Sequence, residues 1–220
     1  MLENLTNGQI PYFWGAAFLT FIIVLYVFIG GMKSVALTDV LQGVLMWILM
    51  IVAVVTISQS IGAFAEANQT VYQLKPELFS RSGTNNFFTP HKWFSYMLLW
   101  GLSVPMFPQM FMRFYTPKNP NSLKLSASLY PLITCTMFIC PVLIGMWGHI
   151  NFPDLVGKEA DKIFPMMLAE YTSTTIASLI MVGALAAFMS TLDSQLLALS
   201  SMMTRAVSYT HLRAHETARH

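Results

Sequence analysis

The chain has 220 residues, of which 55% are hydrophobic and only 10% charged, with a formal net charge of +2. Soluble domains carry about a quarter charged residues, so an ordinary water-exposed surface is excluded. So small a net charge, without any lysine or arginine cluster, also argues against nucleic acid as a partner. The apolar residues come in runs of about 20, enough to cross a bilayer as a helix. The composition therefore predicts an all-α polytopic membrane protein whose first partner is the lipid bilayer.

Apolar run length predicts spans over residues 12–29, 39–61, 93–112, 123–147 and 165–204. Gly30-Gly31 end the first run, and Thr38-Asp39 offer an N-cap for the second. The stretch from Gly62 to Lys92 has too little continuous apolarity to cross. In the third span Pro105 and Pro108 each remove a backbone donor, which predicts a helix broken near mid-membrane. The fifth run is too long for an upright crossing and predicts a tilt or a projection out of the bilayer.

Cys135 and Cys140 lie in one apolar run at a spacing of five, on different helix faces. That pattern indicates neither a disulfide nor a metal pair and predicts two buried, inert thiols. Lys33, Arg113 and Arg205 fall in short connectors near span ends, which places them in the cytoplasm by the positive-inside rule. The loops over residues 62–92 and 148–164 are then outside, and so is the first residue. A first residue outside with no span before it points to an interior fragment. At the other end, AVSYTHLRAHETARH breaks the composition within the last turn of an apolar helix. Residues 206–220 thus read as a non-native, structureless tail, and His211, His215 and His220 are not taken as a metal site.

Two carboxylates, Asp39 and Asp193, sit at or within predicted spans. An acidic residue at a helix centre costs about 2.5–3.5 kcal/mol on insertion scales, so each is a functional candidate. Around Asp193 the residues Ala187, Ser190, Thr191 and Ser194 share one face at about 100° per residue. Small residues at Gly183 and Ala198 extend that stripe, which suits close helix packing with hydroxyls bonded back to the preceding turn. It equally suits a groove lined with oxygens, the ligand set of a desolvated monovalent cation. Asp193 lies nearly opposite Thr191 and cannot join both hydroxyls in one direct shell.

Three segments resemble the sodium:solute symporter family, whose members carry proline, pantothenate, monocarboxylates or sugars. They are YVFIGGMKSVALTDVLQ (Tyr26 to Gln42), WGLSVPMFPQMFMRF (Trp100 to Phe114) and ALAAFMSTLDSQLLALSSMMTR (Ala184 to Arg205). The resemblance implies a transporter fold of two inverted five-helix repeats, present here in part as core helices four to eight. It implies a coupling sodium bound by the Ala187 carbonyl and the Ser190 and Thr191 hydroxyls. Asp39 and Asp193 would serve sodium release or a second ion site, and Arg113 would stand at the inner end of the broken helix.

By the same resemblance the solute lies beside Trp100 and Ser103, with backbone groups freed around Pro105 and Pro108 helping to bind it. Val104 stands where proline symporters carry an aromatic. Trp100 and Ser103 stand where sugar symporters carry Asn and Tyr, and Thr134 replaces their lysine. A small carboxylate-bearing solute, an amino acid or monocarboxylate, fits these positions better than a sugar. The expected activity is sodium-coupled secondary transport across the cell membrane, with no enzymatic role and no cofactor besides the coupling ion. Two rivals share the same residues: a proton-coupled transporter of this fold, and an intramembrane enzyme using Asp39 and Asp193 as an aspartyl dyad. The dyad needs two carboxyls about 3 Å apart, and the Gly-x-Gly-Asp string it would carry is absent around Asp193.

Overall fold

A computed structural model describes residues 11–155 and 157–208; every regular element among them is helical. The helices are α1 (Tyr12–Ser60), α2 (Phe64–Leu74), α3 (Pro90–Ser103), α4 (Pro108–Arg113), α5 (Pro120–Asn151), α6 (Ile163–Tyr171) and α7 (Thr174–Met202). Three stretches are long and apolar enough to cross a membrane, Phe13–Ser60, Pro120–Asn151 and Thr174–Arg205. Their outward faces stay apolar, as Phe18, Phe21, Phe28, Leu41, Phe138 and Phe188 show, and such a surface needs lipid or further protein to cover it.

The first two predicted spans are joined in α1, which has a single non-helical residue, Gly31, at φ 53° and ψ −144°. A side chain would clash with the backbone in that conformation, so glycine is required for the kink. Thr38 and Asp39 are no N-cap. The break comes seven residues earlier, and by residue 38 the backbone is already helical. The Thr38 hydroxyl instead donates back to the Ser34 and Val35 carbonyls at 3.0 Å each, as a mid-helix threonine does.

The third predicted span is two helices, α3 and α4, separated by a 3₁₀ turn over Val104–Met106 and by Phe107 in extended conformation. Pro108 takes the first turn of α4, where its missing N–H is no loss. The fifth predicted span also divides. Thr172 is extended between α6 and α7, its hydroxyl bonded to the Leu168 carbonyl, and Ser173 Oγ accepts from the Ile176 amide at 3.4 Å. Hydroxyl side chains in the run Thr172-Ser173-Thr174 capture backbone groups that a continuous helix would need. Two helices therefore replace the single overlong one.

The described residues form two compact units. One holds residues 11–43, 105–116 and 185–208; the other holds 44–104, 117–155 and 157–184. In the second unit, α2 is a short amphipathic helix that buries Ala67 and Val71, one turn apart, and packs on α5. Trp147 of α5 is fully buried there, donating to Asn68 Oδ1 at 3.0 Å and meeting the Phe64 ring edge-on at 5.7 Å. Gly183 lies so close to Leu49 that an added Cβ would come within 2.8 Å of its side chain. The small-residue stripe thus serves close packing at this end of α7. Of the two thiols, Cys140 is buried, bonding back to Thr136, whereas Cys135 is exposed, contrary to the expectation for it.

Helical backbone runs on through Ser208, the third residue of the predicted tail, in a π-helical turn over Met203–Ser208. His211, His215 and His220 lie outside the described residues.

Candidate functional site

The first unit gathers most of the sequence-predicted polar residues into one cluster between α1, α4 and α7. Asp39 is at its centre. Its carboxylate accepts from Ser190 Oγ through one oxygen and from the Arg113 guanidinium through the other. Arg113 also donates to Ser194 Oγ at 2.5 Å, and Ser194 stands 3.5 Å from Asp39. Arg113 can reach this point because α4 is only six residues long and ends on it, just past the proline break. The guanidinium is partly exposed while the carboxylate is largely covered, so the pair closes the cluster on Arg113's side.

Asp193 occupies the other side. It is fully exposed to nothing, with 0% accessible surface, and is the one buried charged residue among those described. Its Oδ2 accepts from the Tyr26 hydroxyl at 2.7 Å and from Thr38 Oγ1 at 3.4 Å, and its Oδ1 faces Ser194 Oγ at 3.3 Å. Hydroxyl donors of this kind compensate the desolvation of a buried carboxylate. Ser194 therefore stands between the two aspartates, its hydroxyl within reach of both, while each carboxylate also has donors of its own. That arrangement differs from a dyad, where two carboxyls meet directly and share one proton.

The three expected sodium ligands are neighbours on α7 but have unequal surroundings. Ser190 is half-buried against Asp39, while Thr191 is exposed and its hydroxyl bonds back to the Ala187 carbonyl at 3.2 Å. The two hydroxyl oxygens still have ligating capacity, and the Ala187 carbonyl gains it once its helix bond to residue 191 loosens. A hydroxyl that donates its proton keeps lone pairs for a cation, and a carbonyl has two. A crevice beside the ion pair is lined by Met32, Val35, Gln109, Met112, Arg113 and Ser194.

The expected solute residues are placed differently. Trp100 is 61% exposed near the end of α3 in the second unit. Ser103, the last residue of that helix, turns its hydroxyl back to the Leu99 carbonyl. Pro108 belongs to the first unit, opening α4.

Sequence reasoning missed Tyr26 and the true role of Thr38. Tyr26 was legible only as the aromatic that opens a motif. Its partner lies 167 residues away, a pairing no local spacing signals.

A sequence profile of the sodium:solute symporter family matches residues 6–220. The chain is 27% identical to the sodium/proline symporter of Escherichia coli over 92% of its length, and 26% identical to the Staphylococcus aureus sodium/proline symporter over 96%. It is 24% identical to the sodium/pantothenate symporter of Haemophilus influenzae over 82% of its length. It spans 37% to 40% of the length of these relatives. No solved structure matches. With that profile over nearly the whole chain and long apolar helices to carry it, this multi-pass protein of the cell membrane belongs to the sodium:solute symporter family.

Proposed function

We propose that the protein carries out sodium-coupled secondary transport of a small organic solute, an amino acid or monocarboxylate, across the cell membrane. The observation that carries this reading is the oxygen-lined face of α7 held against Asp39, in a chain whose relatives are sodium symporters. Ala187, Ser190 and Thr191 bind the coupling sodium, and Asp39 receives the ion on its way out. Arg113 occupies Asp39 until then, so the ion and the guanidinium compete for one carboxylate. The solute sits beside Trp100 and Ser103, near the backbone opened at Pro105 and Pro108. No cofactor beyond the sodium ion takes part.

The energetics suit this role. One charge crossing about 100 mV yields about 2.3 kcal/mol. A tenfold sodium gradient adds about 1.4 kcal/mol. The sum, about 3.7 kcal/mol, sustains a several-hundred-fold gradient of a neutral solute at one-to-one coupling.

The direct test is uptake by the full-length protein, with proline, pantothenate and short monocarboxylates as probes and choline replacing sodium at constant membrane potential. Sodium dependence is expected for one of these solutes, with Trp100→Phe raising its apparent KM before expression falls. Uptake driven by a proton gradient without sodium would support the proton-coupled reading instead. An unchanged KM with reduced protein would make Trp100 a packing residue.

The polypeptide is further proposed to cross the membrane five times, as core helices four to eight of the inverted-repeat fold. The two arms of α1 make two crossings, α3 with α4 the third, α5 the fourth and α7 the fifth. Cysteines placed at Lys75 and Lys118 are then expected to label from opposite sides, outside and cytoplasmic respectively. Labelling from the same side would overturn this topology.

A further inference from the structure

We propose that Tyr26, Thr38 and Asp193 form a clasp that sets the rotation of α7 about its axis, so that Asp193 acts on the cation by positioning Ser190 and Thr191 and not as a ligand. The proposal rests on the sodium assignment above and adds to it a role for three residues.

Adjacent residues of α1 face residues three apart on α7: Asp39 accepts from Ser190, and the Thr38 hydroxyl, its one proton shared with the Ser34 and Val35 carbonyls, lies 3.4 Å from Asp193. One bond between two helices leaves either free to roll about the contact. Two contacts from neighbouring positions on facing helices fix both the roll and the register. Tyr26 supplies a third point at 2.7 Å, and it comes from the other arm of α1, beyond Gly31. A single carboxylate oxygen thus ties both arms of the kinked helix to α7. Its complete burial means that solvent offers it no alternative partner.

The direction of the carboxylate decides between positioning and ligation. At about 100° per residue Asp193 lies about 160° around the helix from Thr191. Thr191 is exposed, whereas Asp193 is enclosed with Tyr26 and Thr38. A carboxylate turned to that side is remote from the Thr191 hydroxyl and the Ala187 carbonyl. What it can govern is the angle at which those oxygens are presented, and a misorientation of a few tens of degrees is enough to spoil a small ligand shell.

The test compares Asp193→Asn with Asp193→Ala in the full-length protein, alongside Tyr26→Phe. Sodium concentration for half-maximal uptake is read at saturating solute, and solute KM at saturating sodium. Asparagine keeps an acceptor for the Tyr26 and Thr38 hydroxyls, so it is expected to stay within about twofold of the parent. Asp193→Ala and Tyr26→Phe each remove a hydrogen bond and are expected to raise the sodium requirement about two- to tenfold. Solute KM should stay unchanged while the sodium requirement rises; a general loss of folding would lower maximal uptake and shift neither constant.

An Asn variant as impaired as the Ala variant would show that the charge itself is needed, and would overturn the clasp in favour of direct ligation. Unchanged sodium dependence in both Asp193→Ala and Tyr26→Phe would overturn it as well. The Asn and Ala pair decides the matter even where Tyr26→Phe expresses poorly. Failure of the underlying sodium site has a separate signature, unchanged sodium dependence when the Ser190 and Thr191 hydroxyls are removed.

Discussion

Thr191→Ala and Ser190→Ala are each expected to raise the sodium concentration for half-maximal uptake about five- to 150-fold, at near-normal expression. The range corresponds to about 1–3 kcal/mol, the cost of leaving a charged group one ligand short. The two variants are not equally informative. Ser190 also donates to Asp39, so its loss disturbs the Arg113 pair as well as the sodium shell. Thr191 is exposed, and its hydroxyl is bonded only to the Ala187 carbonyl of its own helix. Packing alone predicts that Thr191→Ala is mild or slightly stabilising, because alanine is the better helix former. A large shift in sodium dependence at that position therefore has ligation as its cause. Unchanged sodium dependence in both variants would defeat the assignment and leave helix packing as the account of the stripe. Asp39→Asn is expected to slow sodium release, since it weakens the carboxylate's hold on both Arg113 and the departing ion.

The largest effect on stability is expected at Trp147→Ala, about 3–5 kcal/mol as measured by denaturant titration of the purified protein. Trp147 is fully enclosed between α5 and α2, and deleting its ring leaves a cavity as well as an unpartnered Asn68 amide. Trp147→Phe separates these contributions. It retains most of the ring and loses only the Nε1 bond, so about 1 kcal/mol is expected. Equal losses in the two variants would make the hydrogen bond, and not the filled volume, the principal contribution. The loop between the first long helix and α3 depends on this contact, because α2 buries little else than Ala67 and Val71.

The helical class, the membrane setting and the proline break at Pro105 and Pro108 were all legible in the sequence. Each follows from a local property: run length against bilayer thickness, and the missing amide of proline. Helix ends were legible less often. Thr38-Asp39 has the composition of a cap, yet a cap needs extended backbone at its first residue, and Gly31 had already started the helix. The split at Thr172 was hidden by apolar sequence on both sides, although the hydroxyl run itself was a usable signal.

By itself the sequence determined which residues can meet no water and must lie in lipid or protein, and which face of α7 carries oxygens. Both are matters of composition and helical period. Only the tertiary structure decided where those groups point. Ser190 turns to Asp39, Thr191 to the outside, and Asp193 to the side opposite Thr191, towards a tyrosine contributed by the far arm of α1. Arg113 likewise reaches Asp39 across 74 positions of chain. Such pairings are chosen by the cost of burying charge without a partner, and that cost acts only once distant segments have been brought together.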